Sequence, residues 1–199
     1  MHPEVLISLP ASPSAVTSIR STLIQSSLNT LRKRGHFERY CLLVSPQHKT
    51  ALLETLAPEW LALEVAVAHY VACDALGLPG QELHDIGEDV GDRIQGTFIS
   101  TLVRRTRTVG LTPWVVVGQI QRLWERLILG GAVGLTRTGP RDCTVETQNL
   151  DLCRYSYFRA AFCGVIASGL QLGAGKGVTV SVPSSGNFAQ RCLFKCSWV

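Results

Sequence analysis

The sequence predicts an α+β protein in which N-terminal helices pack on one face of a small four-stranded antiparallel sheet. Three observations lead there. Through the first two thirds, apolar residues recur every three to four positions, the period of a helix with one buried face. From Leu127 to Trp198 the pattern changes to short alternating runs around glycine turns, with one apolar helix among them, a strand-strand-helix-strand-strand block. The composition, 46% hydrophobic against 17% charged, suits a filled core and excludes a disordered chain.

Each element has a local reason. Residues 1–13 contain three prolines and no lasting period, so they read as an irregular lead-in, and 14–199 as a single domain. From Ala15 to Arg34, the positions Val16, Ile19, Leu23, Ile24, Leu28 and Leu31 define an amphipathic helix ended by Gly35. Phe37 to Val44 makes a second, short helix. Ser45 and Pro46 cap a third, which stops before Pro58. Residues 59–76 are apolar on nearly all sides, as in a helix at the centre of a domain, and Gly77, Pro79 and Gly80 end it. A long helix runs from about Gln81 to Thr108, with Arg104, Arg105 and Arg107 complementing the dipole at its far end.

Thr112 and Pro113 cap the next helix, through Trp114 to about Ile128. Val133, Leu135 and Arg137, then Cys143, Val145 and Thr147, alternate as strands around a Gly139-Pro140 turn. A helix from near Tyr155 to Leu172 follows. Val178, Val180 and Val182 alternate, residues 184–187 turn, and Cys192, Phe194, Cys196 and Trp198 share one face of the last strand.

A net charge of +4 is too mild to mark a nucleic-acid surface by itself, and no segment fills the ~20 apolar positions of a membrane span. The seven cysteines lack the spacing of a disulfide framework, and the N-terminus lacks a signal-peptide pattern. Both predict a cytoplasmic location. Phosphate loops, nucleophile elbows and zinc-hydrolase helices are absent from the sequence.

Two motifs carry a resemblance. Ile86 to Ile94 contains Gly87, Gly91 and Arg93 in a Gly-xxx-Gly-x-Arg pattern, and Phe162 to Leu170 contains Cys163-Gly164-Val165-Ile166. With the Gly130-Gly131 turn and the strand order, residues 80–198 resemble a superfamily with three branches. These are 4-vinyl reductase ligand-binding domains, transport-protein-particle subunits, and haem nitric-oxide/oxygen-binding domains. The likeness extends to uncharacterised bacterial stand-alone members. It implies a non-enzymatic module for small-molecule sensing or protein interaction, homodimeric through its helical face, with a cavity for a hydrophobic molecule. The alternatives are an enzyme acting on a tetrapyrrole-like or other hydrophobic substrate, and a structural adaptor docking at the basic helix end.

Glycine inside a helix costs about 1 kcal/mol against alanine, so Gly87 and Gly91 on one face point to a close neighbour. Gly87, Gly91, Arg93 and Gly164 are therefore the close-packing or dimer candidates, and His69, Trp114 and Tyr157 the cavity candidates. No catalytic residue is assigned. Cys163, Cys192 and Cys196 form a weaker metal alternative, since Cys192 and Cys196 stand roughly 13 Å apart on an extended strand. The cofactor is unassigned. A haem sensor of the nitric-oxide type would need a proximal histidine and a Tyr-x-Ser-x-Arg triad. No histidine lies between residues 85 and 199, so haem of that type is not expected. The acylation cysteine of transport-particle subunits is missing as well, with Leu111-Thr112-Pro113 in its place.

Overall fold

The computed structural model describes residues 2–56, 58–106, 111–183 and 187–199, with side chains described for all of these except 96–106. In chain order the first half contains β1 (Glu4–Ile7), β2 (Ser18–Arg20), α1 (Ser21–Lys33), α2 (Phe37–Leu43), α3 (Pro46–Glu54), β3 (Trp60–Ala62) and α4 (Leu63–Ala75). The second half contains α5 (Gly80–Thr106), α6 (Pro113–Val117), α7 (Ile120–Leu127), β4 (Ile128–Leu129), β5 (Ala132–Gly139) and β6 (Asp142–Gln148). A 3-10 turn (Asp151–Arg154), α8 (Ser156–Ala174), β7 (Val178–Ser181) and β8 (Arg191–Trp198) complete it.

The class is α+β as expected, but the main sheet has five strands, not four. Its order is β1-β5-β6-β8-β7, antiparallel throughout. The fifth strand comes from the lead-in, where Glu4 pairs with Arg137 and Val5 with Thr136. Glu4, Val5 and Leu6 stay exposed, so β1 adds backbone pairing at an edge without the alternation that would reveal a strand. A second small sheet, β3-β2-β4, takes residues 18–20 and 60–62 out of the helices expected there. Ile19 and Leu61 are buried in it, and an apolar position reads alike in strand and helix over three residues. The helix expected from 113 to 128 is two, broken at Gly118 and Gln119.

The centre of the molecule is the crossing of α5 and α8. A Cβ on Gly87 would run into the backbone carbonyl of Ala161, and one on Gly164 into the carbonyl of His84. The two helices thus touch backbone to backbone, and Gly91 continues the contact with Val165 Cα 3.1 Å from the position its Cβ would take. α8 is held at its start by a residue of α4. Asp74 accepts from the backbone N–H of Ser156 (3.1 Å) and of Tyr157 (2.6 Å), and from the Ser156 hydroxyl (2.9 Å). A carboxylate there satisfies free N–H groups and meets the positive end of the helix dipole.

Candidate functional site

A cavity of about 70 Å³ lies among α1, α5, α6, α7 and α8. Its lining includes Leu23, Val116, Ile120, Leu123, Phe162 and Val165, with the amide side chains of Gln95 and Gln119 and the ring of Trp124. A smaller lobe of about 30 Å³ shares Leu23, Phe162 and Val165 and reaches Ser27, Tyr70 and Tyr157. Gln95 is buried and donates to Ser168 Oγ at 2.9 Å, while Ser168 donates to Asp92 Oδ1 at 2.5 Å. The break between α6 and α7 sets Gln119 at the helix junction and turns Ile120 and Leu123 onto the cavity.

Behind the smaller lobe runs a buried polar chain. His69 Nδ1 lies 3.0 Å from the Tyr40 hydroxyl and Nε2 lies 3.1 Å from Ser27 Oγ. Ser27 Oγ is 2.6 Å from the Tyr157 hydroxyl, and Cys73 Sγ is 3.5 Å from His69 Nε2. These groups come from α1, α2, α4 and α8, so the chain ties four helices. Burial pushes His69 down to about 3, and pushes Tyr40, Tyr70, Cys73 and Tyr157 up. Every member is neutral at pH 7.

Of the cavity candidates, Tyr157 lines the smaller lobe and His69 stands one hydrogen bond behind it. Trp114 faces elsewhere: its ring packs edge-on against Trp198 at 4.8 Å, lies under Arg137 at 4.7 Å, and donates to the Pro140 carbonyl at 3.1 Å. Arg93 donates to the Ser26 carbonyl at 2.6 Å, linking α5 to α1. Cys163, Cys192 and Cys196 are buried free thiols between α8 and the sheet. The side chains of Arg104 and Arg105, and Arg107, fall outside the described residues.

Ser27 and Gln95 escaped the sequence reading, although each carries a signal. Ser27 falls between Leu23 and Leu31 at four-residue spacing, and Gln95 continues the Gly87-Gly91 stripe. Among the described residues, one group of three side chains brings ligand atoms within 4.8 Å of one another, His84, Asp85 and Glu88. Its carboxylates already accept from Gln81 and Gln171, both at 2.8 Å.

No protein-family model matches the sequence, and neither does any curated protein. Solved structures do match. The chain is similar to a point mutant of the unliganded Fe(II) H-NOX protein from K. algicida, with TM-score 0.67, 7% identity, and 91% of this chain and 97% of that one covered. A structure from work on haem redox potential and porphyrin distortion matches at TM-score 0.58 and 11% identity, covering 90% of this chain and 100% of that one. A doubly substituted Tt H-NOX protein matches at 0.57 and 11%, covering 90% and 95%. At such identities the likeness is one of fold. It falls on the haem nitric-oxide/oxygen-binding branch of the resemblance and lends no support to the other two.

This overturns the expectation that set aside haem of the nitric-oxide-sensor type. That expectation rested on a missing histidine and a missing triad, yet the fold found over nine tenths of the chain is that of H-NOX proteins, and one matching structure concerns haem itself. What the side chains offer a haem is a separate matter. Haem iron is held by His, Cys, Met or Tyr. Among the described residues the larger cavity is lined by none of these, and the smaller lobe has Tyr70 and Tyr157, two phenols that burial holds protonated, Tyr157 being hydrogen-bonded as well. Among the described residues the walls present no ready axial ligand.

Proposed function

We propose that this protein is a non-enzymatic small-molecule-sensing domain whose guest sits between α1, α7 and α8. The observation that carries the reading is the apolar cavity of about 70 Å³, with its two amide side chains, inside an H-NOX-like fold. Pockets for drug-sized ligands run to about 300–1,000 Å³, and an apolar cavity of about 150 Å³ takes up benzene. As it stands the space suits a guest of a few atoms. A haem, the group that work on a matching structure names, enters by parting α7 from α8. A second part of the reading is homodimerisation through the helical face, supported by the exposed apolar side chains of Leu42 and Val71, 86% and 48% exposed.

The test is binding. Purified protein is examined by native mass spectrometry, titrated with ferrous and ferric haem while the Soret band is followed, and melted with and without small apolar molecules. A guest bound one to one, lost in the cavity-filling variant Leu123→Trp, supports the reading, and the Soret band tells haem from another guest. Protein that carries no guest, takes up no haem and melts unchanged overturns it. Light scattering that returns a monomer removes the dimer.

A further inference from the structure

Five of the seven cysteines gather on the inner face of the main sheet and around it. In the antiparallel pairing of β6 with β8, Cys143 stands opposite Cys196 and Thr147 opposite Cys192. Cys163 faces them from α8, and Cys153 arrives from the 3-10 turn. The Cys153 thiol lies 3.4 Å from Thr147 Oγ1, and the Cys192 backbone N–H donates to that same hydroxyl at 3.2 Å. Cys153 and Cys192 thus meet at one hydroxyl, and all five are free thiols.

The two partners differ in chemistry. The hydrogen bond from Cys192, then the Thr147 hydroxyl and the charge of Arg159, hold the Cys153 thiol below its ordinary range in spite of burial. Arg159 is fixed there by donating to the Cys153 carbonyl at 2.8 Å and the Arg154 carbonyl at 2.7 Å. Cys192 is pushed the other way, first by its bond to Cys153 and then by burial. A thiolate is the nucleophile in such chemistry, and a neighbouring cationic group favours it. The Arg159 guanidinium and the Thr147 hydroxyl both stand at Cys153, so Cys153 is the attacking sulfur and Cys192 the resolving one.

We propose that Cys153 and Cys192 form a peroxide-oxidised dithiol, which closes to a disulfide tying the 3-10 turn to β8. The Cys153 thiolate attacks one oxygen of hydrogen peroxide, the O–O bond breaks, and the departing hydroxide takes a proton, leaving a sulfenic acid and water. The Cys192 sulfur then attacks the Cys153 sulfur, the S–O bond breaks, and the hydroxyl leaves as water with the Cys192 proton. Two thiols lose two electrons, and one peroxide becomes two waters. Both sulfurs are buried, so the oxidant enters when the four-residue turn opens from β8. That opening breaks the Leu150 N–H to Gln190 carbonyl bond (3.1 Å) and the Gln190 to Asp151 bond (3.0 Å).

The experiment treats native protein with hydrogen peroxide, quenches into denaturant with an alkylating agent, and maps non-reduced peptides. The Cys153–Cys192 disulfide is expected to appear at least tenfold faster than any oxidation of the half-buried Cys41. In Cys192→Ser the sulfenic acid is expected to be trapped by dimedone on Cys153, and in Cys153→Ser Cys192 stays alkylatable. Oxidation of Cys41 while Cys153 and Cys192 remain thiols overturns the proposal, as does a first disulfide between any other pair. The wild-type map alone decides between these outcomes, whether or not the variants fold.

Discussion

His69 shows most directly how one side chain binds chemistry to stability. Its free value of about 6.5 falls to about 3 in the fold because burial penalises the charged ring. The groups around it are Tyr40, Ser27, Cys73, Tyr70 and Tyr157, none of them a carboxylate. A depressed folded value means that the unfolded chain binds the proton first. The contribution of His69 is therefore complete above about pH 6.5 and is lost as pH falls towards 3, at roughly 1.4 kcal/mol per pH unit. Urea titrations at pH 7.5 and pH 5 should show a loss of about 2 kcal/mol, and His69→Gln should flatten that slope while lowering stability at pH 7.5. The sequence displayed His69 on an apolar helix and Tyr157 near the start of another. It could not pair them with Ser27, because 42 and 130 residues separate that serine from its two partners.

At the scale of elements, the α5–α8 crossing depends on two glycines that face each other's helices. Gly87→Ala and Gly164→Ala each force a methyl group into backbone, which cannot yield as a side-chain tip can. Each should cost about 2–4 kcal/mol in denaturant unfolding, after the ~1 kcal/mol that alanine returns in helix propensity. Gly91→Ala meets the Ser168 hydroxyl at 2.9 Å and should cost less. The α8 cap is a milder case: Asp74→Ala, read as a shift in melting midpoint, should remove about 1–2 kcal/mol. The glycine stripe was legible because its four-residue spacing is local. The cap was not, since Asp74 and Ser156 lie 82 residues apart. The α6–α7 break was hidden because Val117, Ile120 and Trp124 keep a helical spacing across Gly118.

At the scale of the whole molecule, the C-terminal strand-strand-helix-strand-strand block and the long helix before it were readable, because each rests on a sustained period. What the reading missed depends on long-range pairing. β1 matches β5 across more than a hundred residues, and β2 is three residues of backbone recruited by partners at 60–62 and 128–129. Deleting residues 2–8 should expose the β5 edge, lower the melting temperature and raise concentration-dependent aggregation, which light scattering would detect. The haem expectation failed at this same scale. It weighed two local residue patterns, while the likeness to H-NOX proteins is one of fold, at 7% identity to one of them and 12% to another.

The polar chain through His69 has two orders of donation, one for each tautomer of the ring. With the proton on Nε2, His69 donates to Ser27, Tyr40 donates to Nδ1, and the Ser27 hydroxyl is left to donate to Tyr157. With the proton on Nδ1, the ring donates to Tyr40, Ser27 donates to Nε2, and Tyr157 donates to Ser27. A visitor to the smaller lobe that accepts Tyr157's proton should favour the first order, and one that donates to Tyr157 the second. The ¹⁵N shifts of the His69 ring would register which kind has arrived.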